Sequence, residues 1–182
     1  MYRMHCSPVS RHIPRLIPVL LFLPSPAAAQ REWKEFVSAR GFTVAYPASW
    51  RRVDTLPDGL DIMSSSDFAE GVRIARGEAE IGVSERRDAT GHSLAQIIAQ
   101  DQHGDSLLSR RPIYGVTGCD SMTETVYKSQ EGPGAYEIDR VFYCQVRGRL
   151  FTTILRHWAD DKRQAQYQAI ALRMAKSFRL RS

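Results

Sequence analysis

Long apolar runs are missing from this 182-residue chain. The longest, Leu16-Ile17-Pro18-Val19-Leu20-Leu21-Phe22-Leu23, falls well short of the ~20 residues that a membrane-spanning helix needs, and Pro14, Pro18 and Pro24 interrupt or flank it. No membrane anchor is therefore expected. Cysteine is scarce too, at three. No Gly-x-Ser-x-Gly elbow, internal repeat, low-complexity tract or interdomain linker is present. These absences leave no recognisable serine-hydrolase elbow and make one domain the default, and no cofactor is expected.

The first residues have the order of an export signal. Arg3, Arg11 and Arg15 supply a basic start with no acid, the apolar run follows, and Pro24-Ser25-Pro26-Ala27-Ala28-Ala29 offers small residues to a signal peptidase. Residues 1–29 read as a signal peptide, and 30–182 as one mature domain beginning at Gln30 and working in the periplasm or outside the cell. Cys6 precedes the apolar run, so it is not placed as a lipid anchor.

Removing the signal changes the charge. The chain carries a formal +5, and residues 1–29 hold three arginines and no acid, which leaves +2. A nearly balanced domain has no electrostatic footprint for nucleic acid. Cys119 and Cys144 then form the whole cysteine inventory, and an even count after export predicts a disulfide.

About 150 residues support one core. Residues 31–39 read as a short helix carrying Trp33, Phe36 and Val37. Phe42, Val44 and Tyr46 alternate as a strand that Pro47 ends. Asp58-Gly59 marks a turn before a strand over 60–64. Residues 72–84 alternate again, with Arg76-Gly77 splitting them as a hairpin or sitting in a bulge. Ser93-Leu94-Ala95-Gln96 has capping-box spacing and starts a helix with Leu94, Ile97, Ile98 and Asp101 on one face, stopping near Gly104. Strands over 112–117, 121–128, 136–146 and 150–157 follow. A closing helix over 161–177 has Tyr167, Ile170, Ala171, Met174 and Phe178 as its apolar stripe. This order predicts an α+β fold, an antiparallel sheet flanked by helices.

Two register expectations follow. A loop centred near Glu131 pairs residues summing to about 263, which sets Cys119 opposite Cys144 on neighbouring strands. A turn at 147–149 sets Asp139 opposite His157 if it has three residues, or opposite Arg156 if it has two.

The segment Gly41-Phe42-Thr43-Val44-Ala45-Tyr46-Pro47-Ala48-Ser49-Trp50 resembles the opening of the PsbP family, an apolar strand followed by Tyr-Pro-x-x-Trp. The late hairpin, Val141-Phe142-Tyr143 with Gly148-Arg149-Leu150-Phe151-Thr152, and the helix end Met174-Ala175-Lys176-Ser177-Phe178 are similar to that family as well. The resemblance covers most of residues 41–180. It implies an α/β/α sandwich on an antiparallel sheet. It also implies a docking or binding module rather than an enzyme, with Tyr46, Pro47 and Trp50 as structural positions.

Candidate sites are few. Asp101-Gln102-His103-Gly104-Asp105 sets carboxylates around a histidine, but i, i+2, i+4 spacing on a helix points them apart, so no metal is expected. Trp158, His157, Asp160 and Asp139 are taken together as a binding surface. The enzyme alternative, a small exported hydrolase, uses His157 as base with Asp139 or Asp160 orienting it. A third reading gathers Arg51-Arg52, Arg86-Arg87 and Arg110-Arg111 into an anion-binding patch. The leading expectation is a non-catalytic accessory domain that docks onto a protein or envelope component.

Overall fold

The computed structural model describes residues 32–53, 59–64, 74–102 and 104–181. The segment read as an export signal, the expected cleavage point at Gln30, Cys6, Asp58, Val72 and His103 lie outside them. Over these residues the chain folds as antiparallel sheets with two α-helices, the α+β class expected from its pattern.

A seven-stranded sheet has the order β3-β4-β5-β9-β8-β7-β6, with β3 (Arg51–Val53), β4 (Leu60–Met63), β5 (Ala79–Glu85), β6 (Ser106–Pro112), β7 (Ser121–Gly132), β8 (Ala135–Val146) and β9 (Arg149–Trp158). A small sheet, β1-β2-β10, joins β1 (Trp33–Val37), β2 (Phe42–Pro47) and β10 (Arg179–Leu180). The helices are α1 (Leu94–Asp101) and α2 (Gln164–Ser177).

Side-chain alternation along β8 divides the interior. Phe142 and Cys144 face the main core, where Leu60, Ile62, Ile81 and Leu155 pack against the small sheet's Phe42 and Val44 and against Tyr167, Met174 and Phe178 near α2. Val141 and Tyr143 point the other way, under Ile97 and Ile98 of α1. The sheet is thus a middle layer between α1 on one face and α2 with the small sheet on the other. The capping box forms as spaced: Ser93 Oγ accepts the Gln96 N–H, and the Ser93 N–H donates to Gln96 Oε1 at 2.8 Å.

Several sequence expectations need correction. Residues 31–39 form no helix: Trp33–Val37 is β1, paired with β2 from Trp33↔Pro47 to Val37↔Thr43. A nine-residue helix is marginal alone, and the edge of β2 offers it a ladder instead. The strand assigned to 112–117 ends where that assignment begins. β6 runs Ser106–Pro112, all exposed at the sheet edge, so it carries no apolar alternation to read. Arg76-Gly77 is a turn ahead of β5, with Gly77 at φ +83°, and residues 74–78 are not strand.

The late hairpin follows the two-residue option. Arg147 (φ 50°) and Gly148 (φ 72°) make the turn, and Asp139 sits opposite Arg156. The earlier hairpin is displaced from expectation. It turns at Pro133-Gly134 rather than near Glu131, so Met122, not Cys119, is opposite Cys144. The Cys119–Cys144 disulfide is present nonetheless, with Cα atoms 5.5 Å apart. Cys119 reaches its partner from the irregular segment before β7. That segment is anchored by the Asp120 N–H donating to the Gln145 carbonyl (2.7 Å) and the Arg147 N–H donating to Asp120 Oδ2 (2.8 Å). Gly118 admits this path because a Cβ there would lie 1.8 Å from the Phe178 carbonyl oxygen.

Candidate functional site

The residues singled out from sequence separate onto different sides of β9. His157 is fully buried on the core side, where its ring sits 6.3 Å from that of Tyr167. Its Nδ1 lies 2.9 Å from the Trp158 carbonyl oxygen, and Nε2 has no hydrogen-bond partner among the described residues. It therefore cannot belong to an exposed surface, which corrects that part of the expected site. Strand alternation turns its neighbours Arg156 and Trp158 to the opposite face.

Trp158 is half-buried, donates from Nε1 to the Ile74 carbonyl at 2.8 Å, and lies beneath the Arg76 guanidinium, 5.1 Å away. Arg76 also pairs with Asp160. Asp139 is held by Arg156 at 3.1 Å, and Arg156 reaches Glu80 at 3.5 Å and Glu137 at 4.0 Å. Burial pushes the Glu80 carboxyl up against the pull of Arg156, with Asp61 and Asp139 adding to the rise. Neither Asp139 nor Asp160 orients His157, so the acid–base arrangement required by the hydrolase alternative is not assembled here.

The paired arginines do not converge either. Arg51-Arg52 and Arg110-Arg111 lie on β3 and β6, the two opposite edges of the seven-stranded sheet. Among the described residues no cluster of three or more metal-ligating side chains occurs, and no helix is long and apolar enough to cross a membrane.

The arginines that do gather come from separate parts of the sequence. Two adjoining hollows of about 340 and 530 Å³ share Glu85, Arg87 and Arg149 in their walls. Arg86 and His92 line the first, and Arg40 and Gly41 line the second. Three local structures build this cleft: the end of β5 with its short 3-10 turn (Arg87–Ala89), the tight β8–β9 turn, and the β1–β2 turn at Arg40-Gly41.

Two of the guanidinium groups, those of Arg149 and Arg86, are locked in place. Arg149 makes a two-pronged contact with Glu85, Nε to Oε1 at 2.7 Å and Nη2 to Oε2 at 2.9 Å, and donates from Nη2 to the Arg40 carbonyl at 3.1 Å. The Arg149 hydrogen bonds hold the Glu85 carboxyl below its ordinary range. Arg86 bridges Asp88 (2.7 and 2.9 Å) and Asp101 (2.7 and 2.9 Å). The bond to Arg86 likewise lowers Asp88. Asp101 also accepts the Tyr143 hydroxyl at 2.7 Å, and burial, together with the bonds to Tyr127 and Asp101, raises Tyr143. Arg87 is exposed and stands over both hollows. Arg86 and Arg149 already pair with Asp88, Asp101 and Glu85 and shape the cleft, and the exposed Arg87 carries at its mouth a planar guanidinium of the kind that suits carboxylate or phosphate oxygens.

Sequence reasoning identified Arg86-Arg87 as charge but not Arg40 or Arg149. The one signal for Arg149 was its position beside the hairpin turn, which delivers it to the end of β5 where Arg86 begins. The resemblance positions Pro47 and Trp50 are buried, with Trp50 edge-on to Tyr167 at 5.9 Å, and Tyr46 packs against the main core.

No family model and no curated protein matches the sequence. Among solved structures, one from Bacteroides thetaiotaomicron is similar at 13% identity over 82% of this chain, with a TM-score of 0.51. This chain spans about half of that protein's length (48%). A protein of unknown function from Pseudomonas aeruginosa, described as a putative regulator, is 14% identical over 78% of this chain and 94% of its own, with a TM-score of 0.45. The cyanobacterial PsbP of Synechocystis is 15% identical over 81% of this chain and 92% of its own, with a TM-score of 0.41. At these identities the Bacteroides likeness speaks to the fold alone.

Proposed function

We propose that this chain is an exported, non-catalytic accessory domain of PsbP-like build. It matures by loss of residues 1–29, works in the periplasm or outside the cell, and docks onto a protein or envelope component. The arginine-walled cleft is its contact for an anionic group of that partner. The observation that carries this reading is the convergence of Arg40, Arg86, Arg87 and Arg149 on two adjoining hollows. The Cys119–Cys144 disulfide supports the export part, since such bonds persist in oxidising compartments.

The test is capture from envelope extract with the mature domain, alongside an Arg87→Glu variant. Arg87 is exposed, so charge reversal there leaves the fold intact. The expected result is a partner retained by the wild type and lost by the variant. Capture of no partner, together with turnover of any substrate in an activity screen, would overturn the proposal. Intact mass of the exported form should begin at Gln30, and a species there retaining residues 1–29 would refute signal removal.

A further inference from the structure

A third hollow, of about 230 Å³, lies between the start of β1, the turn after β2 and the outer stripe of α2. Gln166, Ala169, Ile170 and Arg173 line it at i, i+3, i+4 and i+7 and so form one side of the helix. Trp33, Pro47 and Trp50 line the other side, with Ser49 at the rim. The setting is largely apolar, with two unmatched polar features. The Arg173 guanidinium rests over the Trp33 ring at 4.0 Å and has no carboxylate partner among the described residues. The Trp33 indole N–H is shielded from solvent and has no hydrogen-bond partner among them either. Arg86, Arg140, Arg149 and Arg156, by contrast, are each ion-paired.

A cation that is backed by an indole and lacks an anion beside an apolar hollow is complemented by a carboxylate carried on a short hydrocarbon. The volume lies below the ~300 Å³ at which sites for drug-sized ligands begin, which excludes a nucleotide or a large cofactor. An ammonium-headed ligand would meet Arg173 with like charge. We propose that this hollow binds a small free monocarboxylic acid with a branched aliphatic or phenyl body. The carboxylate pairs with Arg173, and the hydrocarbon lies against Trp33, Pro47, Trp50 and Ile170. No residue of this hollow belongs to the arginine-walled cleft, so the two proposals fail independently.

The test titrates the mature domain with 4-methylpentanoate and 3-phenylpropanoate, reading tryptophan fluorescence, with the matching amides as controls. The acids should give a saturable change, and the amides should bind at least tenfold more weakly. Arg173→Gln should weaken the acids by at least tenfold while circular dichroism and melting temperature stay unchanged, because Arg173 is exposed and pairs with no carboxylate among the described residues. Trp158→Phe should keep the response, since Trp158 lies outside this hollow. Equal binding of acid and amide, no binding of either, or full acid affinity in Arg173→Gln would overturn the proposal. Binding of a peptide ending in a free leucine carboxylate but of neither acid would overturn the assignment to a free acid.

Discussion

Reducing the Cys119–Cys144 bond should lower stability by about 3 kcal/mol. The bridged cysteines are 25 residues apart, and closing a loop of that length removes a corresponding amount of chain entropy from the unfolded state. The loop contains all of β7, the Pro133-Gly134 turn and the larger part of β8. Its native geometry is also held by the β7–β8 ladder, so the reduced protein should still fold. At a urea slope of about 2 kcal/mol/M, the midpoint should fall by roughly 1.5 M on adding reductant. The melting temperature should fall by roughly 6–12 °C, at 2–4 °C per kcal/mol for a domain of this size. The slope itself should rise, because the reduced unfolded chain exposes more surface. Parallel urea titrations and thermal melts of residues 30–182 with and without dithiothreitol measure these shifts. Coincident curves would refute the reasoning, as would two labelled thiols in the denatured, unreduced protein.

Glu124→Gln should cost about 3 kcal/mol, because the carboxylate is buried between Arg111 and Arg140 and its loss leaves the largely enclosed Arg140 unbalanced. Burial pushes Glu124 up, but the two arginine hydrogen bonds outweigh it and hold the carboxyl below 4.5. Its contribution is therefore complete above about pH 4.5 and lost as pH falls through the lowered value, so the variant should show a flatter acid limb in urea titrations from pH 7 to pH 3. Asp139→Asn should cost less than about 1 kcal/mol, because Arg156 is part-exposed and keeps Glu80 and Glu137; a larger loss of melting temperature would show that the pair matters more than a cross-strand contact. Gly118→Ala should destabilise by more than about 3 kcal/mol, since the added carbon meets the Phe178 carbonyl and backbone must move; an unchanged urea midpoint would refute that packing.

Local signals in the sequence determined those elements whose physics is local. Ser93 and Gln96 cap α1 because both partners lie within one turn of helix. The long alternation of β8 and β9 around residues 147–149 sets the hairpin and leaves Asp139 opposite either His157 or Arg156; the two-residue turn at Arg147-Gly148 in the folded chain selects Arg156. The apolar spacing from Tyr167 to Phe178 marks the face α2 buries. Pairing of Cys119 with Cys144 was legible from the count alone, whereas the register reasoning behind it was wrong, since the turn lies two residues later and Cys119 is outside the strand. Tertiary structure decided what depends on distant partners. Trp33–Val37 becomes a strand because β2 offers an edge, and exposed β6 pairs with β7 without any apolar stripe to announce it. His157 looks like a surface histidine beside two aspartates, yet strand alternation turns it into the core and Arg156 and Trp158 away from it. The cleft was the least legible feature. Arg40, Arg86 and Arg149 lie far apart in sequence and meet only because a turn of the small sheet, the end of β5 and the start of β9 converge at one end of the domain.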